Sequence, residues 1–303
     1  MNTLKTNFQK VQEFNRAFDM APKEPANYLS GYIDNLGCFQ IDEYQHIRPE
    51  IFNNSKIIRL RLDLIDEEIE ELNHAIEIND FIETRDAIAD ILYVVYGMAD
   101  VLGINIDTVF NQNINNTDNT DNNNDICNKM VMNMNIEKFA NQDTTNGKPI
   151  SLTNFDWIKR VYNNIHHPTV SSLLKSINYT YKELETMCLL IDSKNVVKEI
   201  FIKIGNCIYN LLKYVYTYAY VAGIDANADF AIVHTSNMSK LCDTEEDARN
   251  TVIDYESKFA NGNSPYDSPY YYELPELHKW IVKNKSTGKA LKNIKYQKVI
   301  FNK

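Results

Sequence analysis

The chain has 303 residues, is 44% hydrophobic and carries a formal net charge of −10. That length holds one large domain or two modest ones, and the acidity disfavours nonspecific nucleic-acid binding, which depends on neutralising phosphates. Nine Gly and eight Pro are few for the length, which favours long helices over a turn-rich β fold.

The opening stretch, MNTLKTNFQKVQEF, has no apolar core of a signal peptide, and no uncharged apolar run is long enough to span a bilayer. The five cysteines, at 38, 127, 188, 207 and 242, show neither a CxxC pair nor zinc spacing, so free thiols and a cytoplasmic location are expected.

Two strong helical segments follow. In 57–76, Ile58, Leu62, Ile65, Ile69, Leu72 and Ile76 recur at steps of four and three, one face of a helix. In 82–102, Ile88, Leu92, Val95, Ala99 and Leu102 do the same, and Gly103 stands where a left-handed residue would end the helix. The chemistry lies between and within them. Glu67, Glu68 and Glu71 share a sector of the first helix, and Asp86 and Asp90 share a face of the second, with Glu83 on the same stripe. Asp90 is flanked by Ile88, Ala89, Ile91 and Leu92, so it is expected to be largely buried and to need a cation or a shifted pKa. Arg85, Arg59 and Arg61 are the cations nearby in sequence. Carboxylates facing one another from two helices make an all-oxygen site suited to Mg²⁺, which binds through a few carboxylates together with substrate phosphates. A di-iron bundle would need two Glu-x-x-His motifs; Glu71-Leu-Asn-His74 is one, without a second in a matching helix.

Residues 111–125, NQNINNTDNTDNNND, form a polar low-complexity tract, and 113–152 is read as a linker. Beyond it the layout repeats: 170–191 and 196–222 are apolar-periodic, and Gly223 closes the second segment. VVYGMADVLGINID (94–107) and YVYTYAYVAGIDAN (214–227) align at a fixed offset of 120. Two helical hairpins, each unable to bury its face alone, would pack into a bundle. The expected organisation is therefore 1–112, a first repeat; 113–152, the linker; 153–242, a second repeat; and 243–303, a tail. In the tail, TEEDARNTVIDYESKF reads as a helix with Thr244 as N-cap and Asp247 in its first turn, and Gly262, Pro265 and Pro269 read as a loop. HKWIVKNKSTGKALKNIKY reads as a β-hairpin turning near Ser286–Gly288. From Lys279 to Lys303 there are eight Lys and no acid.

EExxE at 67–71, ADILYVVYG at 89–97 and the following LGI resemble the all-α NTP pyrophosphohydrolases, the MazG, dimeric dUTPase and phosphoribosyl-ATP pyrophosphohydrolase relatives. VQEFNRAFDM (11–20), HTSNMSKL (234–241), TEEDARNTVIDY (244–255) and STGKALKNIKY (286–296) are similar to the phosphoribosyl-ATP branch. The resemblance implies an all-α fold of two MazG-like units with a small C-terminal hairpin. It further implies Mg²⁺-dependent hydrolysis (Mn²⁺ as a substitute) of an NTP or dNTP to the monophosphate and pyrophosphate. Glu67, Glu68, Glu71, Asp86 and Asp90 would be metal ligands, with Glu68 also the general base. Two departures stand out. The usual ExxD motif would place Glu at 87, which is Ala here. At the offset of 120, Asp86 and Asp90 become Asn206 and Asn210, so the second repeat has lost its site. Because SNMSK follows only the second repeat, one composite site per chain is expected, with Asn237, Lys240, Lys289 and Lys292 reaching substrate phosphates. The partners expected are a nucleoside triphosphate, with no nucleic acid and no membrane, and a pseudo-dimer within one chain or a homodimer of chains. A non-catalytic nucleotide-binding regulator of the same fold is the alternative.

Overall fold

The computed structural model describes residues 5–20, 29–34, 39–41, 55–107, 168–190 and 198–301. It is mostly helical. The elements are α1 (Asn7–Ala17), β1 (Leu29–Ile33), β2 (Phe39–Ile41), α2 (Ser55–Glu77), α3 (Phe81–Leu102) and β3 (Ile104–Asn105). They continue with α4 (Pro168–Leu190), α5 (Lys198–Val221), α6 (Ala226–Met238), α7 (Glu245–Ala260), β4 (Pro269–Leu274), a 3-10 turn (Pro275–Leu277) and β5 (Lys279–Asn284). The chain divides into two compact units, one of residues 1–9 and 24–230, the other of 10–23 and 231–303. The expected linker at 113–152 lies outside the described residues.

The first unit holds both hairpins. α2 packs on α3 and α4 on α5, while α3 also meets α5 and α2 meets α4. The apolar positions that define α2 in the sequence are all buried: Ile58, Leu62, Ile65, Ile69, Leu72 and Ile76. Opposite them lie Ile88, Leu92, Val95 and Ala99 of α3, each 0% exposed. Burial of each large aliphatic side chain contributes about 1.5–3 kcal/mol, so this interface fixes how the two helices face each other. A short turn joins them. Asp80 caps α3, its carboxylate accepting the N–H groups of Ile82 and Glu83. Gly103 (φ 72°) ends α3 and Gly223 (φ 70°) follows α5, both left-handed as their place after the periodic runs implies.

This unit also contains a sheet that the periodicity does not disclose. β1 pairs antiparallel with β2, Gly31 opposite Ile41, and parallel with β3, Leu29 opposite Ile104. β2 rests on α5, where Gly205 admits the fully buried ring of Phe39: a Cβ there would lie 2.3 Å from Phe39 Cε1.

In the second unit, β4 and β5 form an antiparallel hairpin, Pro269 opposite Asn284. One face packs Ile281 with Ala17, Phe18 and Leu241; the other packs Val282 and Leu291 with Ala248 of α7. Thr244 caps α7, accepting the Asp247 N–H at 3.1 Å, as expected. The hairpin sits one segment earlier than the sequence pattern suggests. Pro269 does not belong to a loop; it opens β4, a position that tolerates a residue with no N–H to give. The turn at Ser286–Gly288 exists, with Gly288 at φ 71°, but it leads only to an isolated bridge between Lys283 and Ala290. Asn284 organises that turn. Its Nδ2 donates to Ser286 Oγ and Thr287 Oγ1, and its Oδ1 accepts the Ser268 N–H.

No helix among the described residues is long and apolar enough to cross a membrane.

Candidate active site

The α2–α3 interface that buries the aliphatic stripes sets the carboxylates beside one another. Glu67, Glu68 and Glu71 project from α2, Asp86 and Asp90 from α3. Glu67 and Glu71 are exposed, while Glu68, Asp86 and Asp90 are half-buried. Asp90 is thus less buried than its apolar neighbours suggest. Ile88, Ala89, Ile91 and Leu92 face the core, and Asp90 lies on the remaining side of the helix.

The electrostatics tie all five together. Burial pushes the Glu68 carboxyl up to about 8, and the negative charges of Asp90, Glu71, Glu67 and Asp86 push it the same way. All four others thus lie within electrostatic range of Glu68. Asp86 is pushed up to about 6 by burial, then by Glu83, Glu71 and Asp229. Glu71 is raised by desolvation, then by Glu67 and Glu83. Glu83, in the first turn of α3, therefore stands at the rim of the cluster. Asp86 Oδ1 is buried and has no hydrogen-bond partner. Ala87 is 2% exposed, so an acid at that position would point into the core; Asp86 is the residue of this turn that faces the cluster.

The three arginines near in sequence are directed elsewhere. Arg59 lies 4.0 Å from Glu185. Arg61 is 4% exposed; burial lowers its pKa to about 10 against the opposing pull of the buried Asp100. Arg85 makes a bidentate pair with Asp229, Nε to Oδ2 at 2.8 Å and Nη2 to Oδ1 at 2.6 Å. Asp229 was not apparent in the sequence. Its signal was an acid inside the apolar helix segment ADFAIV, the same kind of signal that singled out Asp90.

Among the described residues, no three His, Cys, Asp or Glu side chains converge into a ready-made metal cage. Like charges at this density repel, and a Mg²⁺ site does not require such a cage because substrate phosphates and water complete the shell. The donors are all carboxylate oxygens, one of them a buried orphan, and that set fits a hard divalent cation.

The second hairpin has a different arrangement. Asn206, which corresponds to Asp86 at the offset of 120, accepts the Phe39 N–H through Oδ1 at 3.3 Å and so holds β2. In α4, Tyr181 donates to the Leu62 carbonyl, while Lys182 lies 3.6 Å from Asp66 and 3.5 Å from Glu185.

Asn237, Lys240, Lys289 and Lys292 lie in the second unit. Lys240 Nζ donates to Asn237 Oδ1 at 2.7 Å and lies over the Phe14 ring. Lys289 lies over Tyr266 and Lys292 over Tyr296. The neighbouring serines of SNMSK bind the chain's end: Ser236 Oγ donates to the Gln297 carbonyl and Ser239 Oγ accepts the Gln297 N–H.

A helical hairpin carrying clustered carboxylates is the architecture that the 67–97 motifs anticipate. Residues 40–115, which contain all five carboxylates, match the family model for phosphoribosyl-ATP pyrophosphohydrolase, within the MazG-like superfamily. A protein of Acanthamoeba polyphaga mimivirus, "Uncharacterized protein L479", is 32% identical over 295 residues, covering 97% of this chain and 93% of that protein. The chain belongs to one family with this mimiviral protein. No solved structure matches it.

Proposed function

We propose that the chain is a Mg²⁺-dependent nucleoside triphosphate pyrophosphohydrolase, cleaving the anhydride between the α and β phosphates of an NTP or dNTP. The single observation that carries this reading is the place of Glu68, half-buried on α2 where that helix packs on the α3 helix of Asp86 and Asp90. Four other carboxylates bear on it, while the nearby arginines are drawn off to Glu185, Asp100 and Asp229. So concentrated a negative charge is the counterpart of a cation and a polyphosphate. The match of 40–115 to phosphoribosyl-ATP pyrophosphohydrolase supports the same class of reaction.

In this reading Glu67, Glu71, Asp86 and Asp90 hold the cation together with Glu68. When bound, Mg²⁺ would draw charge from the phosphates and acidify a bound water. Glu68, the half-buried member of its helix trio, takes the proton from water as the water oxygen bonds to phosphorus. The phosphoanhydride P–O bond breaks, giving a nucleoside monophosphate and pyrophosphate.

The test is pyrophosphate release from a panel of NTPs and dNTPs with Mg²⁺, using the wild type, Glu68→Ala and Asp90→Asn. Turnover by the wild type and its loss in both variants, with unchanged far-ultraviolet circular dichroism, is expected. Full activity in both would remove the carboxylate cluster from the mechanism. A nucleotide-dependent thermal shift without turnover in the wild type would point to a binding protein instead.

A further inference from the structure

The lysines of the C-terminal segment divide into two groups. Three have a carboxylate in the fold: Lys279 on Asp243, Lys283 on Asp19 at 2.8 Å and Lys295 on Asp247 at 2.7 Å. Lys285, Lys289, Lys292 and Lys298 are exposed, and among the described residues no carboxylate lies within ion-pair distance of them. The turn after β5 sets the first two. Buried Asn284 holds Ser286 and Thr287 through its amide, and its N–H donates to the Lys289 carbonyl at 2.8 Å. Lys289 lies over the Tyr266 ring, which meets Tyr255 of α7 edge-on at 5.8 Å. Leu291 is buried in the cluster against which both tyrosines pack, and Lys292 follows it directly. Apolar side chains stand exposed in the same place. Ile294, between Lys292 and Lys298, has its N–H held by Thr251 Oγ1 of α7 at 3.2 Å while its side chain is 46% exposed. Ile300 is 75% exposed, and Phe259, one turn of α7 beyond Tyr255, is 46% exposed. A single exposed isoleucine is ordinary; several set among lysines without counter-charges mark an interaction surface.

We infer that this face of the C-terminal unit docks on an anionic lipid surface. The lysines meet the negative headgroups, and Ile294, Ile300 and Phe259 enter the boundary between headgroups and acyl chains. Lysine alone does not decide the partner, since a compact point charge serves any phosphate. The apolar side chains do. They gain little along a nucleic-acid backbone, whereas at a bilayer their exposed area leaves water. The net charge of −10 opposes approach to any polyanion. At physiological ionic strength, however, exposed charges are screened beyond about 8 Å, so the lysines at the contact govern it. Each lysine brought to an anionic bilayer favours binding about fivefold. Four of them with a few apolar side chains give a reversible attachment, not a permanent anchor.

The experiment is cosedimentation of the full-length chain with vesicles of phosphatidylcholine and phosphatidylserine in equal parts, and with vesicles of phosphatidylcholine alone. Circular dichroism checks the folding of each variant. The wild type should bind the serine-containing vesicles and not the neutral ones. Raising the salt from about 0.1 M to about 1 M, which shortens the screening length from about 10 Å to about 3 Å, should release it. The double variant Lys289→Gln, Lys292→Gln should bind about 25-fold more weakly, two lysines at fivefold each. The double variant Ile294→Ser, Ile300→Ser, which leaves every charge in place, should bind about tenfold more weakly through lost apolar burial. Lys175→Gln, at an exposed lysine of α4, should bind as the wild type does. No binding to the serine-containing vesicles, or equal binding to both kinds, would overturn the proposal. So would wild-type binding by either double variant, or an equal loss in Lys175→Gln. A single-stranded oligonucleotide, followed by fluorescence anisotropy, supplies the competing outcome. Oligonucleotide binding that needs Lys289 and Lys292 but not Ile294 and Ile300, without vesicle binding, would make this a nucleic-acid surface and overturn the lipid assignment.

Discussion

The hydroxyls of Tyr96 and Tyr216 meet at 2.9 Å in the buried contact between α3 and α5. They are 120 positions apart, the same offset that aligns 94–107 with 214–227. Contact between equivalent residues is what a two-fold axis produces. The pattern extends on either side. Thr6 donates to Asp107 and its neighbour Asn7 to Asn227, again an equivalent pair at the same offset. We propose on this ground that the two hairpins are repeats of one unit packed as a pseudo-dimer. An experimental structure in which α2–α3 and α4–α5 do not superpose about an axis through the Tyr96–Tyr216 contact would refute it.

The tyrosine pair has an energetic consequence. Asn7 Nδ2 also donates to Tyr216 Oη at 3.1 Å, so the hydroxyls form a chain. Tyr96→Phe and Tyr216→Phe should each cost about 1 kcal/mol in urea denaturation. The double variant should cost clearly less than their sum, because the Tyr96–Tyr216 bond is already lost with the first change. Strict additivity would show that the two hydroxyls do not interact.

The carboxylate cluster should make the metal-free chain less stable as pH rises. Glu68 has an ordinary value of 4.5 and is raised to about 8 in the fold, so between these values the folded state binds more protons than the unfolded. Stability falls with pH wherever that holds. The contribution of protonated Glu68 is complete below 4.5 and is lost by about 8; Asp86, raised from 3.8 to about 6, adds to the slope at lower pH. Thermal melts in a chelator should show the decline, and Glu68→Gln should flatten it. An unchanged slope in Glu68→Gln would mean that Glu68 ionises normally.

Much of this site was legible because its determinants are local. The four- and three-residue spacing of Ile58, Leu62, Ile65, Ile69, Leu72 and Ile76 fixes which side of α2 is buried, and with it the side on which Glu67, Glu68 and Glu71 fall. Gly103, Gly223 and Thr244 likewise act within one turn of themselves. The three-stranded sheet was not legible. Its strands are five, three and two residues long, too short for alternation to register, and they pair across a long stretch of sequence. The C-terminal hairpin was anticipated but misplaced, because Pro269 reads as a loop until its edge position is known. Nor could any local pattern link Arg85 to Asp229, whose pairing depends on where α6 is laid against α3.

Gly205 should not tolerate a side chain. Its backbone is helical, so an alanine there would gain helix propensity in isolation. Against that, the added Cβ would lie 2.3 Å from Phe39 Cε1 and 2.7 Å from Cδ1, and Phe39 is fully buried with its N–H held by Asn206. The ring has nowhere to retreat without lifting β2. Gly205→Ala should therefore destabilise by about 1–3 kcal/mol, the usual cost of overpacking. Adding Phe39→Leu should recover part of that loss, since a smaller side chain relieves the contact. A Gly205→Ala variant as stable as the wild type would show that β2 is not seated on α5.

Asp86 should trade stability for binding. Its Oδ1 is buried without a hydrogen bond, which costs about 1–3 kcal/mol in a folded protein, more when the group is charged. Glu83, Glu71 and Asp229 all oppose its ionisation. Asp86→Asn keeps the shape and removes the charge, so the metal-free chain should become more stable, by about 1 kcal/mol in urea denaturation, and the gain should develop as pH rises from 3.8 to about 6 and be complete above that, where the wild-type carboxyl is ionised in both states. The same variant should bind Mn²⁺ more weakly and release pyrophosphate more slowly. The two effects have one cause, a carboxylate kept in an unfavourable place for a cation, and they must therefore appear together. Higher stability with undiminished Mn²⁺ binding would take Asp86 out of the ligand set and leave Asp90 as the only contribution of α3. Lower stability would mean that the buried oxygen is satisfied in solution.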